Sequence, residues 1–254
     1  MAMEWVEGET LAANLTRRRG AGGRLPWECL ILLAPVFDAL ALAHSRGIAH
    51  RDIKPANLML PAGNGTGRFG VGIRVLDFGI AKIMDGDEAA GSGQTETSSQ
   101  FRAYSLPYAS FEQVMGTRTG PWTDVHALAL ILTELLTDQP PYPGRDRASL
   151  GMQVASPTRP TPARFGVDVG PWEPILARAL SLTPSERFAH AGEFLSALEE
   201  SMPEAWRVPL SASHSQAVGR LSGSSAGAVL GGSLPPKNER PAGANEPLSQ
   251  TTTG

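Results

Sequence analysis

The sequence predicts a mainly α fold with a small β-hairpin. Leu128, Ile131, Leu132, Leu135 and Leu136 recur at spacings of three and four, the apolar stripe of an amphipathic helix. Leu30, Leu33, Phe37, Leu40 and His44 repeat that spacing earlier in the chain. Between the two, short apolar runs at 58–60 and 73–76 flank a Gly-rich segment with Asn64 and Thr66, which reads as two strands joined by an enlarged turn.

A short hydrophobic stretch at 3–6 leads into Glu7, Gly8, Glu9 and Thr10, a turn and N-cap before a helix over 11–19. Gly20, Gly22 and Gly23 stop that helix, and Pro26 suits the first turn of the next. Pro35 falls inside this long helix, where it removes one backbone hydrogen bond and is expected to kink the rod. Gly47 ends it. After the hairpin come Asp77, Phe78 and Gly79, then a polar segment to 100 with no apolar period, expected to be a surface loop.

From Thr123 the helical pattern is strongest, and apolar Ala127, Ala129 and Leu130 beside the stripe predict burial on more than one side. This is the expected central core helix. Pro140, Pro141 and Pro143 are expected to end it, with a proline-spaced loop over 155–162. Helices over 173–182 (Ile175, Leu176, Ala179, Leu180) and 191–201 (Phe194, Leu195, Leu198) follow. The expected domain is 1–206. Residues 207–254 are rich in Ser, Gly and Pro and hold too little apolar surface to offset their ordering entropy, so they read as a disordered tail or linker.

At 254 residues and 41% hydrophobic, the chain has enough material for a core. A formal charge of −3 supplies no basic field, so neither nucleic acid nor an anionic membrane surface is an expected partner. The single cysteine, Cys29, excludes an internal disulfide, fits a reducing, cytoplasmic compartment, and reads as a small apolar helix residue. Residues 1–8 carry Glu4 and Glu7 and do not resemble a signal peptide. The apolar region 29–43 reads as too short to span a bilayer and contains Asp38, so no membrane segment is expected. The histidines at 44, 50, 126, 190 and 214 show no HExxH spacing, so zinc is not expected.

The chemistry concentrates in His50 to Asn57, reading HRDIKPAN. Asp52 offers a carboxylate to orient a hydroxyl and take its proton, Lys54 a compact charge for a phosphate, and Asn57 an oxygen suited to Mg²⁺. One short loop thus carries the parts that phosphoryl transfer requires.

HRDIKPAN upstream of Asp77, Phe78 and Gly79, with a hairpin between, resembles the catalytic and magnesium loops of protein kinases. The chain is similar to eukaryotic-type Ser/Thr protein kinases of the bacterial kind over about residues 3–198. The resemblance implies a protein-kinase-like C-terminal lobe, ATP and Mg²⁺ as cofactors, and a protein substrate bearing Ser or Thr. It makes Asp52 the base, Lys54 a γ-phosphate contact, and Asn57 and Asp77 the Mg²⁺ ligands. Met59 would pack under the adenine ring, Val6 would lie in the hinge between lobes, and His50 would pack under Phe78.

The resemblance extends further. Residues 108–113, YASFEQ, are similar to the YMAPEQ that closes the activation segment, with Phe111 and Ser110 departing from its proline and alanine. Glu112 would pair with Arg187, Ser105 would sit near the substrate, and Asp124 would head the central helix, while Ala129 replaces the family's glycine. Arg51 resembles the arginine that reads a phosphorylated activation loop, with Thr95, Thr97, Ser98 and Ser99 as candidate phosphosites.

No GxGxxG loop, VAIK lysine or partner glutamate of a small lobe is present, and Gly20, Gly22 and Gly23 are no substitute, because they sit between helices. Losing three such contacts to ATP phosphates, at about 1.5 to 3 kcal/mol each, would cost about 5 to 9 kcal/mol. The isolated chain is therefore expected to turn over little ATP. Three readings stay open: a Ser/Thr kinase large lobe whose small lobe is missing or encoded upstream, a non-catalytic interaction module, and a remnant without function.

Overall fold

The computed structural model describes residues 7–62, 72–76, 106–144 and 146–206. Seven helices and three strands lie among them. The order is β1 (Gly8–Thr10), α1 (Leu11–Arg18), α2 (Pro26–Ser45), β2 (Leu58–Pro61), β3 (Arg74–Val75), α3 (Phe111–Met115), α4 (Pro121–Thr137), α5 (Arg147–Ala155), α6 (Trp172–Ala179) and α7 (Ala191–Glu200). A 3₁₀ turn, Pro55–Asn57, closes the HRDIKPAN stretch and leads into β2.

The mainly α fold and the hairpin are both present, and the hairpin gains a third strand. Residues 8–10, read from sequence as a turn, pair antiparallel with β2 (Gly8↔Pro61, Glu9↔Leu60, Thr10↔Met59), so the sheet order is β1-β2-β3. Thr10 still caps α1, its Oγ1 accepting from the Ala13 N–H at 3.1 Å.

Helix α4 is the centre of the fold. Every residue from Thr123 to Thr137 is buried, and α2, α6 and α7 pack around it. Its end differs from expectation. Asp138 takes the left-handed conformation (φ 56°) and stops the helix before any of the prolines, while its carboxylate accepts from the Gly20 and Gly22 N–H groups at 2.7 and 3.1 Å. The local stop is thus reinforced by a contact from the α1–α2 connection.

Helix α2 runs unbroken from Pro26 to Ser45 through Pro35, and its expected inward residues Leu30, Leu33, Phe37, Leu40 and His44 are all buried. Its 20 residues are long and apolar enough to cross a membrane, so the expectation of too short a stretch is corrected. Here the helix is a core element, packed on α7 and α4 with Asp38 exposed. Phe37 and Phe194 meet edge to face at 5.4 Å, and Phe188 stacks on Phe194 at 5.2 Å. Cys29 is fully buried, and burial pushes its thiol up to about 12, as suits an inert core residue.

Two short helices were not foreseen. α3 begins inside the YASFEQ motif, and α5 precedes the proline-spaced loop. The last two predicted helices form over Trp172–Ala179 and Ala191–Glu200.

Candidate active site

The site is built on the loop at 50–57, which runs from the end of α2 to β2. Lys54 Nζ lies 3.0 Å from Asp52 Oδ2. Asn57 Nδ2 donates to the Asp52 carbonyl at 2.8 Å and to Asp52 Oδ2 at 3.1 Å. The three polar side chains singled out from sequence are therefore brought together around one carboxylate. Because the Asn57 nitrogen faces Asp52, its Oδ1 remains the amide's hard oxygen donor, the atom type that suits Mg²⁺. Among the described residues no group of three His, Cys, Asp or Glu side chains is placed to hold a metal.

Asp124, near the start of α4, anchors the loop from below. Its Oδ1 accepts from the Arg51 N–H at 2.7 Å, and its Oδ2 accepts from the His50 N–H at 2.7 Å. His44 Nε2 lies 2.9 Å from the same Oδ2. The Ala191 N–H donates to His44 Nδ1 at 3.1 Å, so Nδ1 is the unprotonated nitrogen and Nε2–H donates to Asp124. Arg51 itself is held at φ 64°, a left-handed conformation disfavoured for a residue with a Cβ.

His50 is fully buried, and by the same logic its ring is fixed. The Asp52 N–H donates to Nδ1 at 3.3 Å, which leaves Nε2–H to donate to the Leu76 carbonyl at 3.2 Å. The Leu76 N–H in turn donates to the Asn57 carbonyl at 2.8 Å, tying the loop to β3. Met59 sits half-buried in the central strand β2.

Glu112 and Arg187 form the expected pair with both nitrogens engaged, Nη1 to Oε1 at 2.7 Å and Nη2 to Oε2 at 2.9 Å. Thr123 Oγ1 donates to Glu112 Oε1 at 2.9 Å, and the Arg187 Nε donates to the Ser181 carbonyl at 2.7 Å. Burial pushes the Glu112 carboxyl up, but the Arg187 hydrogen bonds and charge together outweigh it and hold the group below the usual carboxylate range.

Gln113 was not singled out from sequence. Its Nε2 donates to the Arg51 carbonyl at 2.7 Å, and its Oε1 accepts from the Ser110 N–H at 3.0 Å. The signal was the S-x-x-Q pattern of Ser110 and Gln113, a capping box at the head of α3. Val6, Asp77, Phe78, Gly79, Ser105, Thr95, Thr97, Ser98 and Ser99 lie outside the described residues.

The family model for the protein kinase domain matches residues 1–188. The chain belongs to the protein kinase family. Serine/threonine-protein kinase Pkn1 of Myxococcus xanthus is 33% identical over 211 residues, covering 82% of this chain and 28% of the relative. Serine/threonine-protein kinase PknB of Mycobacterium tuberculosis H37Rv is 32% identical over 232 residues, covering 88% of this chain and 35% of the relative. The chain thus spans about a third of the length of these curated kinases. In structure it is similar to the kinase domain of Mycobacterium tuberculosis PknI, with a TM-score of 0.56 and 28% identity over 79% of this chain and 65% of that one. A protein-kinase-like fold is shared with that domain, and the HRDIKPAN loop falls within the residues that the family model matches.

Proposed function

We propose that the chain is the hinge and C-terminal lobe of a Ser/Thr protein kinase, supplying the base and the acceptor side of Mg²⁺- and ATP-dependent phosphoryl transfer. The observation that carries this reading is the convergence of Lys54 and Asn57 on the Asp52 carboxylate. In the reaction, Asp52 would orient the hydroxyl of a Ser or Thr side chain and take its proton as the oxygen bonds to the γ-phosphorus, while the bond from that phosphorus to the β–γ bridging oxygen breaks and ADP leaves. Lys54, already beside Asp52, places positive charge where the transferring phosphoryl group gains negative charge. Asn57 braces the base through Nδ2 and would hold Mg²⁺ through Oδ1, with Asp77 as the second ligand. When bound, ATP would supply the phosphoryl group and Mg²⁺ would neutralise charge on its oxygens.

Met59 and Val6 would contact the adenine, and Ser105 would lie near the acceptor peptide. A phosphate on Thr95, Thr97, Ser98 or Ser99 would pair with Arg51, whose Nε is buried without a hydrogen-bond partner among the described residues. The domain takes in 1–206, with 207–254 as tail, and the protein works in the cytoplasm.

The test is single-turnover transfer from radiolabelled ATP with Mg²⁺ to a Ser/Thr peptide, comparing wild type with Asp52→Asn. A slow transfer that needs millimolar ATP and falls about a hundredfold or more in the variant is expected, since a positioned base contributes roughly that much. Equal label incorporation in the two proteins would refute the reading.

A further inference from the structure

Arg51 carries the strained backbone of the site, and it is gripped from both sides. Its N–H donates to Asp124 Oδ1 at 2.7 Å, and its carbonyl accepts from Gln113 Nε2 at 2.7 Å. The orientation of the Gln113 amide is forced by chemistry. The Ser110 N–H can only donate, so the atom facing it is Oε1, and the atom facing the Arg51 carbonyl must be the nitrogen. Gln113 is itself placed firmly, because Glu112 beside it is locked in the buried pair with Arg187. Asp52 is the next residue after Arg51, so whatever fixes the Arg51 peptide also fixes the direction in which the Asp52 side chain leaves the chain. Arg51, Asp52, Gln113 and Asp124, with Tyr108 and Thr123, line a narrow cleft between α3 and the 50–57 loop.

We propose that Gln113 is a positioning residue. With Asp124 it clamps Arg51 in the left-handed conformation, and it thereby couples the placement of α3 to the aim of Asp52. A shift of α3 away from the loop removes the donor from the Arg51 carbonyl and lets the peptide relax toward the ordinary φ range. The consequence for catalysis rests on the phosphoryl-transfer reading above; the clamp does not.

Gln113→Glu separates the clamp from helix capping. Its carboxylate still accepts from the Ser110 N–H, so α3 keeps its cap, but it offers no donor to the Arg51 carbonyl. Amide hydrogen exchange followed by NMR on the full chain is expected to quicken about tenfold at His50 and Arg51, with the amides of α3 and α4 as protected as in wild type. Peptide transfer is expected to lose kcat with little change in the peptide KM. Placing Arg51→Gly in both proteins should shrink the effect of Gln113→Glu on both readouts, because glycine adopts φ > 0 without help. Unchanged exchange at His50 and Arg51 in Gln113→Glu overturns the proposal, as does an exchange increase no larger there than in α3. If wild type transfers no phosphate, the functional reading fails, and the exchange data still decide the clamp.

Discussion

Asp124 accepts the Arg51 N–H and the His50 N–H with its two carboxylate oxygens, each at 2.7 Å, so one side chain from the central helix carries two successive amides of the 50–57 loop. The carboxylate is almost fully buried and also takes the hydrogen bond from His44. Charge-assisted bonds of this kind are worth about 1.5 to 3 kcal/mol each, and the donors they satisfy become costly when orphaned. Asp124→Asn turns an NH₂ group toward donors and removes the charge. It is expected to lower stability by about 2 to 4 kcal/mol in urea unfolding and to release the Arg51 backbone. A variant within about 0.5 kcal/mol of wild type would show that the loop holds its shape without this anchor.

The Glu112–Arg187 pair should behave as a buried ion pair whose halves are worth little alone. Removing one partner strands the other, at roughly 3 to 5 kcal/mol, so Arg187→Leu should be strongly destabilising. Glu112→Leu combined with Arg187→Leu should recover much of that loss, since no buried charge remains. The pH dependence follows from the depressed Glu112 group. With a folded value below 4.5, its contribution is complete above pH of about 4.5 and is lost as pH falls through the folded value. Acid unfolding curves of wild type and Glu112→Gln should therefore converge at low pH. Parallel curves would contradict this.

Much of the site was legible because its parts are local. Asp52, Lys54 and Asn57 lie within six residues of one another, and the stripe through α4 shows itself in single-residue periodicity. The resemblance to kinases then placed Glu112, Asp124 and Arg187, whose contacts span long stretches of chain. What stayed hidden depends on tertiary pairing or on unusual backbone. The three residues of β1 have no strand signal of their own and exist because β2 offers a ladder. Asp138 stops α4 in a left-handed conformation that no local pattern announces, stabilised by amides from the α1–α2 connection. Gln113 looked like one letter of a motif, and its bond to Arg51 appears only when α3 folds back on the loop.

His126 gives the fold a second pH dependence. Arg159 Nη2 can only donate, and it lies 2.9 Å from His126 Nε2, so the ring proton sits on Nδ1, which is buried without a hydrogen-bond partner among the described residues. Burial first, then the charges of Arg187 and Arg159, hold the ring well below the usual histidine value. The unfolded chain binds this proton near pH 6.5 and the folded chain does not, so stability falls as pH drops below that point. The loss from this group approaches about 1.4 kcal/mol per pH unit. Urea unfolding of wild type and His126→Gln at pH 7, 6 and 5 should show the gap between them changing by about that slope in favour of the variant. A gap independent of pH would mean that His126 protonates freely in the folded protein.

Gly23 and Gly20 lie on the same connection between α1 and α2 and should fail for different reasons when replaced by alanine. At Gly23 a Cβ would fall 1.8 Å from the Leu136 carbonyl oxygen and 2.5 Å from its carbon, because the chain here lies directly against the end of α4. The neighbouring Arg24 N–H donates to the Leu135 carbonyl at 2.8 Å, so the connection cannot lift away without losing that bond. Gly20 has open space around its missing Cβ but sits at φ 89°, so alanine there meets only backbone strain of about 1 to 2 kcal/mol. A backbone clash at a packed contact costs about 1 to 3 kcal/mol once relaxation is counted, to which the broken Arg24 bond adds about 1. Gly23→Ala should therefore be the more destabilising of the two in urea unfolding. Its effect should include faster amide exchange at the last turn of α4, by more than Gly20→Ala causes there through the Gly20 bond to Asp138. The reverse order would place the tight contact elsewhere and make the connection a loose strap across α4.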